Sequence, residues 1–462
     1  MQHFDLCVIG SGSGNSVVTK EFRETRVAIV DGAPWFGGTC LNAGCIPSKM
    51  LAHPADLAEA IRQAAPLGID AAGVRVRWAD LRDRILERID GAAAEAEEQR
   101  GRHENVTVFR TGARFVGTKR LRLDDGEEIT ADRFVIAAGS RPRIPSLPGL
   151  DDPQVAARVH TSDDIMRLPA LPRSLVVVGG GAAASEFAHI FAAFGTAVTL
   201  LHRGQRLLKA ADDELGERFT DLLSRRVTLR LGHSLASLEA TAHGVIVGTV
   251  DDDGVEYFFE GERVLIALGR VPNGDTLNLA ATGVDLGPDG RVVVDARQQT
   301  TARDIWALGD VSSPYQLKHV ANHEARVVRH NLLHPEDPVE TDHRFVPQAV
   351  FSGPQVAWVG ATEQQLSSSG RQYVAATRRY GEVAYGWAMA DTDHFVKVLA
   401  DPASGHLLGG HVLGPRASDL LQPLIQAMSF GLDATSFARG QYWIHPALSE
   451  VVENAVLDLP LP

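Results

Sequence analysis

Two stretches of the chain carry the same order of apolar and polar positions. Leu6-Cys-Val-Ile-Gly-Ser-Gly-Ser-Gly14 is an apolar run that closes on glycines, followed by a helical stretch and a second apolar run, Val27-Ala-Ile-Val-Asp31. The other is Leu175-Val-Val-Val-Gly-Gly-Gly181, a helix around Glu186 to Phe194, and Ala197-Val-Thr-Leu-Leu201. Short, unbroken apolar runs predict strands buried on both faces. Strand, glycine turn, helix and parallel strand together make the βαβ unit of a dinucleotide fold. Each copy has a later Asp-Gly turn (Asp125-Gly126, Asp253-Gly254) before an apolar strand ending on glycine, Phe134 to Gly139 and Val264 to Gly269. The pattern predicts an α/β protein with one architecture used twice.

Prolines mark the boundaries. Arg141-Pro-Arg-Ile-Pro-Ser-Leu-Pro-Gly149 predicts a stiff connector, and Val271-Pro-Asn-Gly274 a second exit. His334-Pro-Glu-Asp-Pro338 precedes a last region whose alternating short strands predict an α+β unit. The expected domains are 1–149 and 271–338 (two parts of one dinucleotide-binding domain), 150–270 (the second) and 339–462 (the α+β domain). Leu81 to Arg102 reads as a charged amphipathic helix with a solvated face.

Composition changes this picture little. The 462 residues exceed one compact core, and 45 basic against 58 acidic residues leave a net charge of −13. That balance favours neither nucleic acid nor an anionic membrane as partner. The start of the chain lacks a basic and apolar leader, and no run of about 18 apolar residues predicts a span. With only three cysteines, a reducing cytoplasm is the expected location.

The chemistry lies in the motifs. Gly10, Gly12 and Gly14 follow a strand and are expected to open a helix, where backbone amides can meet a pyrophosphate; Asp31 can accept from ribose hydroxyls. Asn15 stands where a third small residue is usual. The second copy, Gly179, Gly181 and Ala184, keeps that spacing. Where the first copy has Asp31 it carries His202 and Arg203, with Arg206 and Lys209 behind, a cationic cluster suited to a 2′-phosphate and hence to NADPH.

Gly37-Gly-Thr-Cys40-Leu-Asn-Ala-Gly-Cys45-Ile-Pro-Ser-Lys49 holds two closely spaced cysteines. Five residues of regular helix rise about 7.5 Å, beyond the roughly 7 Å Cα limit for a disulfide. A redox pair therefore requires a break, which Gly44 permits; two buried free cysteines are the alternative. Cys7, on a strand, is a core residue. Near the end, His445-Pro-Ala-Leu-Ser-Glu450 offers a base and a carboxylate to orient it. His319 with His323, and His330 with His334, stand at i, i+4 spacing but lack the surroundings of a metal site, and none is expected.

Together these segments resemble the pyridine nucleotide-disulfide oxidoreductases, over essentially the whole chain. The run from Gly37 to Lys49 is the most specific match, supported by Ala267-Leu-Gly-Arg-Val-Pro-Asn273 and Ile305-Trp-Ala-Leu-Gly-Asp310. The resemblance implies two Rossmann-like domains and a C-terminal dimerisation domain, with FAD and NADPH as cofactors. It places Asp310 on the flavin ribityl chain and the helix start at Val320 and Ala321 near the flavin. Gly38, Thr39, Gly139, Gly269 and Arg270 become further cofactor contacts, and Lys49 pairs with Glu186 beside the flavin. Cys45 becomes the flavin-side sulfur, Cys40 the one that attacks a small-molecule disulfide, and His445, held by Glu450, the acid–base group reaching the other subunit of a homodimer. Ala182 stands where many relatives carry an aromatic that shields the flavin.

Leu317 to Arg326, Ala384 to Met389 and Ala438 to Pro446 are most similar to the mycothione-reducing branch of that family. Dihydrolipoamide dehydrogenase is the alternative within the family, and a flavin-binding regulatory protein without turnover the alternative outside it.

Overall fold

The computed structural model describes residues 1–461; Pro462, the end of the expected last domain, lies outside them. The first apolar runs form a seven-stranded sheet. Its parallel part runs Val106–Phe109, Val27–Val30, Gln2–Ile9, Glu128–Ile136, with Leu6 opposite both Val27 and Arg133. All four residues of Val27–Val30 are buried, which is why the run shows no alternation. Beyond Asp275 the chain returns, and Ile305–Ala307 pairs parallel to the end of Glu128–Ile136. The strand Arg120–Leu123 meets the start of Glu128–Ile136 as the antiparallel hairpin that Asp125-Gly126 foretells.

One expectation fails here. After Gly12 the chain makes only two short 3-10 turns, Ser13–Val17 and Lys20–Phe22, not an α-helix. Arg100 reaches across to this segment and holds Asn15 by its carbonyl at 2.7 Å and its Oδ1 at 2.6 Å. The β-branched run Val17, Val18, Thr19 is a weak helix former in any case.

The second copy is a parallel sheet in the order Thr228–Leu231, Ala197–His202, Ser174–Val178, Arg263–Ile266, Val159–His160, with an antiparallel three-stranded sheet behind it. Its helix, Ala182–Ala193, is buried almost all round. One side lies on its own sheet, and the other packs on the helix Cys45–Arg62, where Leu51, Ala52 and Ala55 meet Phe187 and Phe191 in one core. The cysteine segment thereby sits between the two halves.

The predicted connectors are not independent linkers. Ser140–Pro142 and Arg270–Pro272 pair antiparallel, Arg141 opposite Val271, and the Arg143 amide donates to the Gly269 carbonyl at 2.9 Å. Entrance and exit of the second unit thus form one ribbon.

The last region is an antiparallel sheet ordered Gln348–Val350, Val356–Gly360, Leu407–Leu413, Phe395–Ala400, Val374–Arg379. Its strands do not alternate as expected. Phe395–Ala400 and Leu407–Leu413 are buried throughout, because Ala417–Phe430 covers one face of Leu407–Leu413 and the helix Asp213–Ser224 of the second unit meets the same strand. At that junction Lys397 is buried and reaches Asp212 at 2.8 Å and Glu214 at 3.0 Å, with Glu363 also in contact. These three carboxylates are grouped closely enough to hold a metal ion, but the ammonium is their common partner. The charged helix Trp78–Gly101 exposes one face as expected and buries Trp78, Ile85, Ile89 and Ala93 on the other.

Candidate active site

Cys40 lies on the short helix Gly38–Asn42 and Cys45 opens the helix Cys45–Arg62. Ala43 (φ −147°) and Gly44 (φ −145°, ψ −117°) break the two apart, which removes the geometric objection to a disulfide. Cys40 and Cys45 are not linked to each other in this structure. The two sulfurs are electrostatically unequal. Cys45 is pulled down to about 6, first by the neighbouring Cys40 thiol and then, against burial, by the Lys49 cation and its own backbone amide. Cys45 is open to solvent on one side and enclosed by protein on the others. Cys40 is pushed well above the ordinary thiol range by the neighbouring Cys45 and by burial.

Lys49 Nζ stands 2.8 and 3.0 Å from the two oxygens of Glu186, across the packed pair of helices. Glu186 is buried and also accepts the Phe351 amide at 2.9 Å. The Phe351 ring lies 4.8 Å from Lys49 Nζ. A cation is therefore fixed one helical turn beyond Cys45 by Glu186 and Phe351, groups from two other segments.

The first glycine loop is a backbone cradle. A Cβ on Gly10 would stand 2.2 Å from the Ala137 carbonyl, and one on Gly38 would stand 2.6 Å from the Gly12 Cα. Gly14 packs directly on Ala137 and Val8, the close approach for which no small residue at Asn15 is needed. Thr39 follows Gly38 in the short cysteine helix. Asp31 accepts the Ser11 amide at 2.8 Å and the Ala33 amide at 2.7 Å, which fixes its carboxylate at the tip of the strand with lone pairs remaining for hydroxyls. At the other end, Asp310 accepts from Ser140 Oγ at 2.6 Å, and Arg270 donates to the Ser140 hydroxyl and carbonyl at 2.6 and 2.7 Å. Arg270 is thus bound into the ribbon beside Asp310, and Gly139 and Gly269 flank it. The helix Lys318–Leu333 begins next to the cradle: Lys318 donates to Ser13 Oγ at 2.8 Å, and Val320 and Ala321 are buried in its first turn. Its positive end suits an anionic ring. These residues fit a flavin dinucleotide: amides for the pyrophosphate, an acid for the ribose, an acid for the polyol.

Sequence reasoning did not single out Glu324 for the site. It is buried, accepts the Gly309 amide at 2.7 Å beneath Asp310, and is raised to about 7 by burial. His343 approaches it at 3.3 Å, off hydrogen-bond geometry, because the His343 Nε2 finds no bond. Its only sequence signal was a charged residue on the apolar face of a helix.

The second glycine loop corrects the expected cationic cluster. The His202 ring lies over Gly180, where a Cβ would come within 2.4 Å. Burial and the adjacent Arg203 hold the His202 imidazole below its ordinary value, so it is a neutral wall. Arg206 turns inward, to Asp213 and the carbonyls of Lys209, Ala211 and Asp212. Arg203 and Lys209 remain as exposed cations. Gly179, Gly181 and Ala184 form the turn into Ala182–Ala193, with Ala184 buried and Gly181 open.

His445 Nδ1 is 2.7 Å from Glu450 Oε1, while Glu450 Oε2 accepts the Ala447 amide at 3.1 Å. That histidine lowers the Glu450 carboxyl. The imidazole itself is 70% exposed, and Tyr442, Ile444, Trp387 and Phe430 project into solvent from the same C-terminal region. The histidine pairs of Lys318–Leu333 bind elsewhere: His319 to the Pro347 carbonyl, His330 to that of Asp337.

The family model of pyridine nucleotide-disulphide oxidoreductases matches residues 4–325, and that of their dimerisation domain matches 346–456. Mycothione reductase of Mycobacterium tuberculosis is 49% identical over 99% of this chain and 100% of its own. Glutathione reductase of Burkholderia cepacia is 32% identical over 97% of each chain. Among solved structures, the HOCl-induced flavoprotein disulfide reductase RclA from Escherichia coli superposes with a TM-score of 0.86 at 27% identity, covering 98% of this chain and 99% of its own. Two unequal sulfurs between two dinucleotide folds, in a chain similar from end to end to disulfide reductases, leave one family: this is a member of the pyridine nucleotide-disulphide oxidoreductases, a flavoprotein disulfide oxidoreductase of the mycothione reductase-like kind.

Proposed function

We propose that the protein reduces mycothione, a low-molecular-weight disulfide, to mycothiol at the expense of NADPH, in the cytoplasm. The 49% identity to mycothione reductase supports the substrate, and an exposed Arg203 where the flavin half carries Asp31 supports the phosphorylated nucleotide. We assign the flavin to 1–149 with 271–338, the nicotinamide nucleotide to 150–270 and the subunit interface to 339–462. FAD, when bound, supplies the two-electron relay between nicotinamide and disulfide.

The observation that carries the mechanism is the unlinked pair Cys40 and Cys45 on two adjacent helices beside the Lys49–Glu186 ion pair, with the Cys40 thiol raised so that it keeps its proton. Cys40 must lose that proton to attack a disulfide, and the charged groups that act on it are Cys45, Lys318 and Lys49, none of them a ready base. His445 of the partner subunit fills the role, since this chain exposes its own on the dimerisation domain. It takes the Cys40 proton; Cys40 sulfur bonds one substrate sulfur, and the other leaves as a thiolate that receives the proton back. The Cys45 thiolate then displaces the second thiol from Cys40 and closes the internal disulfide. One NADPH and one proton thereby convert one disulfide into two thiols.

Parallel turnover assays with mycothione, glutathione disulfide and lipoamide, each with NADPH and NADH, test this reading. Preference for lipoamide with NADH would replace it by dihydrolipoamide dehydrogenase activity. Mixing Cys40→Ser with His445→Ala chains restores about a quarter of the sites if each site is shared across a two-fold dimer. No recovery under subunit exchange refutes sharing.

A further inference from the structure

The missing first helix leaves a groove between Thr19, Lys20 and Glu21 and the outer face of Lys318–Leu333, with a volume of about 710 Å³. Lys20 enters it from one segment, and Arg326 and Arg329 from the other. Among the described residues none of these three cations has a carboxylate within 4.0 Å, in a chain whose net charge is −13. The one acid lining the groove, Glu21, accepts from the Thr19 hydroxyl, and the Lys20 and Arg329 cations also lower its carboxyl from a distance beyond an ion pair. His330 and His323 are also engaged, with the Asp337 carbonyl and the Asp342 amide. Val327, Leu333 and Val339 give the groove an apolar lining.

Basic residues near the end of a helix ordinarily answer its negative pole. That accounts for His330 but not for Lys20, which belongs to another segment, nor for Arg326 and Arg329, which lie before the last turn. Arg326 and Arg329 stand at i, i+3 on one face, so their side chains start about 5–6 Å apart. Two guanidiniums at that spacing suit the tetrahedral oxygens of a phosphate better than a single planar carboxylate. We propose that this groove binds a small organophosphate, its phosphate held by Lys20, Arg326 and Arg329 and its apolar part laid on Val327, Leu333 and Val339. The groove is lined by neither Cys40, Cys45 nor Lys49, and Arg326 and Arg329 lie about 8 and 12 Å along the helix from Ala321.

The test is calorimetric titration of the FAD-loaded protein with AMP and with inorganic phosphate. AMP binds saturably and more tightly than phosphate. The double variant Arg326→Gln/Arg329→Gln loses at least tenfold in AMP affinity, Lys20→Gln loses affinity as well, and Arg203→Gln changes nothing. All variants keep the wild-type melting temperature, and the double variant keeps its disulfide-reducing turnover. AMP binding that survives the double substitution, or that disappears with Arg203→Gln, overturns the site. Equal affinity for phosphate and AMP overturns the role of the apolar lining.

Discussion

Substituting Lys49→Met isolates what holds Cys45 as a thiolate. In the wild type its titration is centred at about 6. The ammonium is locked 2.8 Å from Glu186, so Cys45 feels a cation partly offset by a more distant anion. Removing only the cation acts twice: its attraction disappears, and the buried Glu186 charge is left to repel the thiolate. One opposite charge within about 4–6 Å changes a titration by about one to three pH units. Part of that is retained by the neighbouring Cys40 thiol and the Cys45 backbone amide. The Cys45 midpoint is therefore expected to rise to about 7 or higher.

The assay is alkylation of the reduced protein by iodoacetamide across pH, with peptide mass spectrometry separating Cys45 from Cys40. Adding Glu186→Gln to Lys49→Met removes the stranded anion and brings the midpoint back at least half-way. A Lys49→Met midpoint still near 6 would refute the electrostatic account. A double variant no lower than the single one would show that Glu186 acts only through packing.

Three further outcomes follow from other sites. Lys397→Met strands the buried carboxylate of Asp212 and costs about 3–5 kcal/mol in urea unfolding, with part recovered by adding Asp212→Asn; an unchanged midpoint refutes the buried pair. His411 is fully buried and held down to about 4, against an ordinary value of 6.5. Below 6.5 the unfolded chain takes a proton that the folded chain refuses. Its contribution is whole above about pH 6.5, declines by about 3 kcal/mol toward pH 4, and levels off below; His411→Gln flattens that slope in chemical denaturation. Ala182 is exposed at the first position of its helix, and under the proposed function no side chain there shields the nicotinamide side of the flavin. Ala182→Tyr slows oxygen consumption by the NADPH-reduced protein, and an unchanged rate refutes the shielding.

How much was legible depended on whether a signal was local. The unbroken apolar runs at Val27–Val30 and Leu175–Val178 gave strands, because burial on both faces is written in consecutive residues. Gly44 between two cysteines indicated a break because spacing alone forbids a bridge across regular helix. The segment after Gly14 departs from the expected helix where Arg100, remote in sequence, holds Asn15 by both its carbonyl and its side chain. Arg206 was counted as a free cation for the same reason: its partner, Asp213, lies in the next helix. Lys397 lies in a strand that gave no hint of three carboxylates arriving from two other helices and their caps. What escaped was long-range pairing of polar groups, which no periodicity records.

The ribbon at Arg141 and Val271 has a consequence for how such proteins diversify. Everything between Arg143 and Gly269 leaves and rejoins the first unit at two hydrogen-bonded neighbours. A cassette anchored at adjacent points can be exchanged for another of different coenzyme preference without rerouting the rest of the chain. The buried charge cluster around Lys397 then becomes the compatibility test that any replacement must pass, since Asp212 and Glu214 travel with the cassette and Lys397 does not.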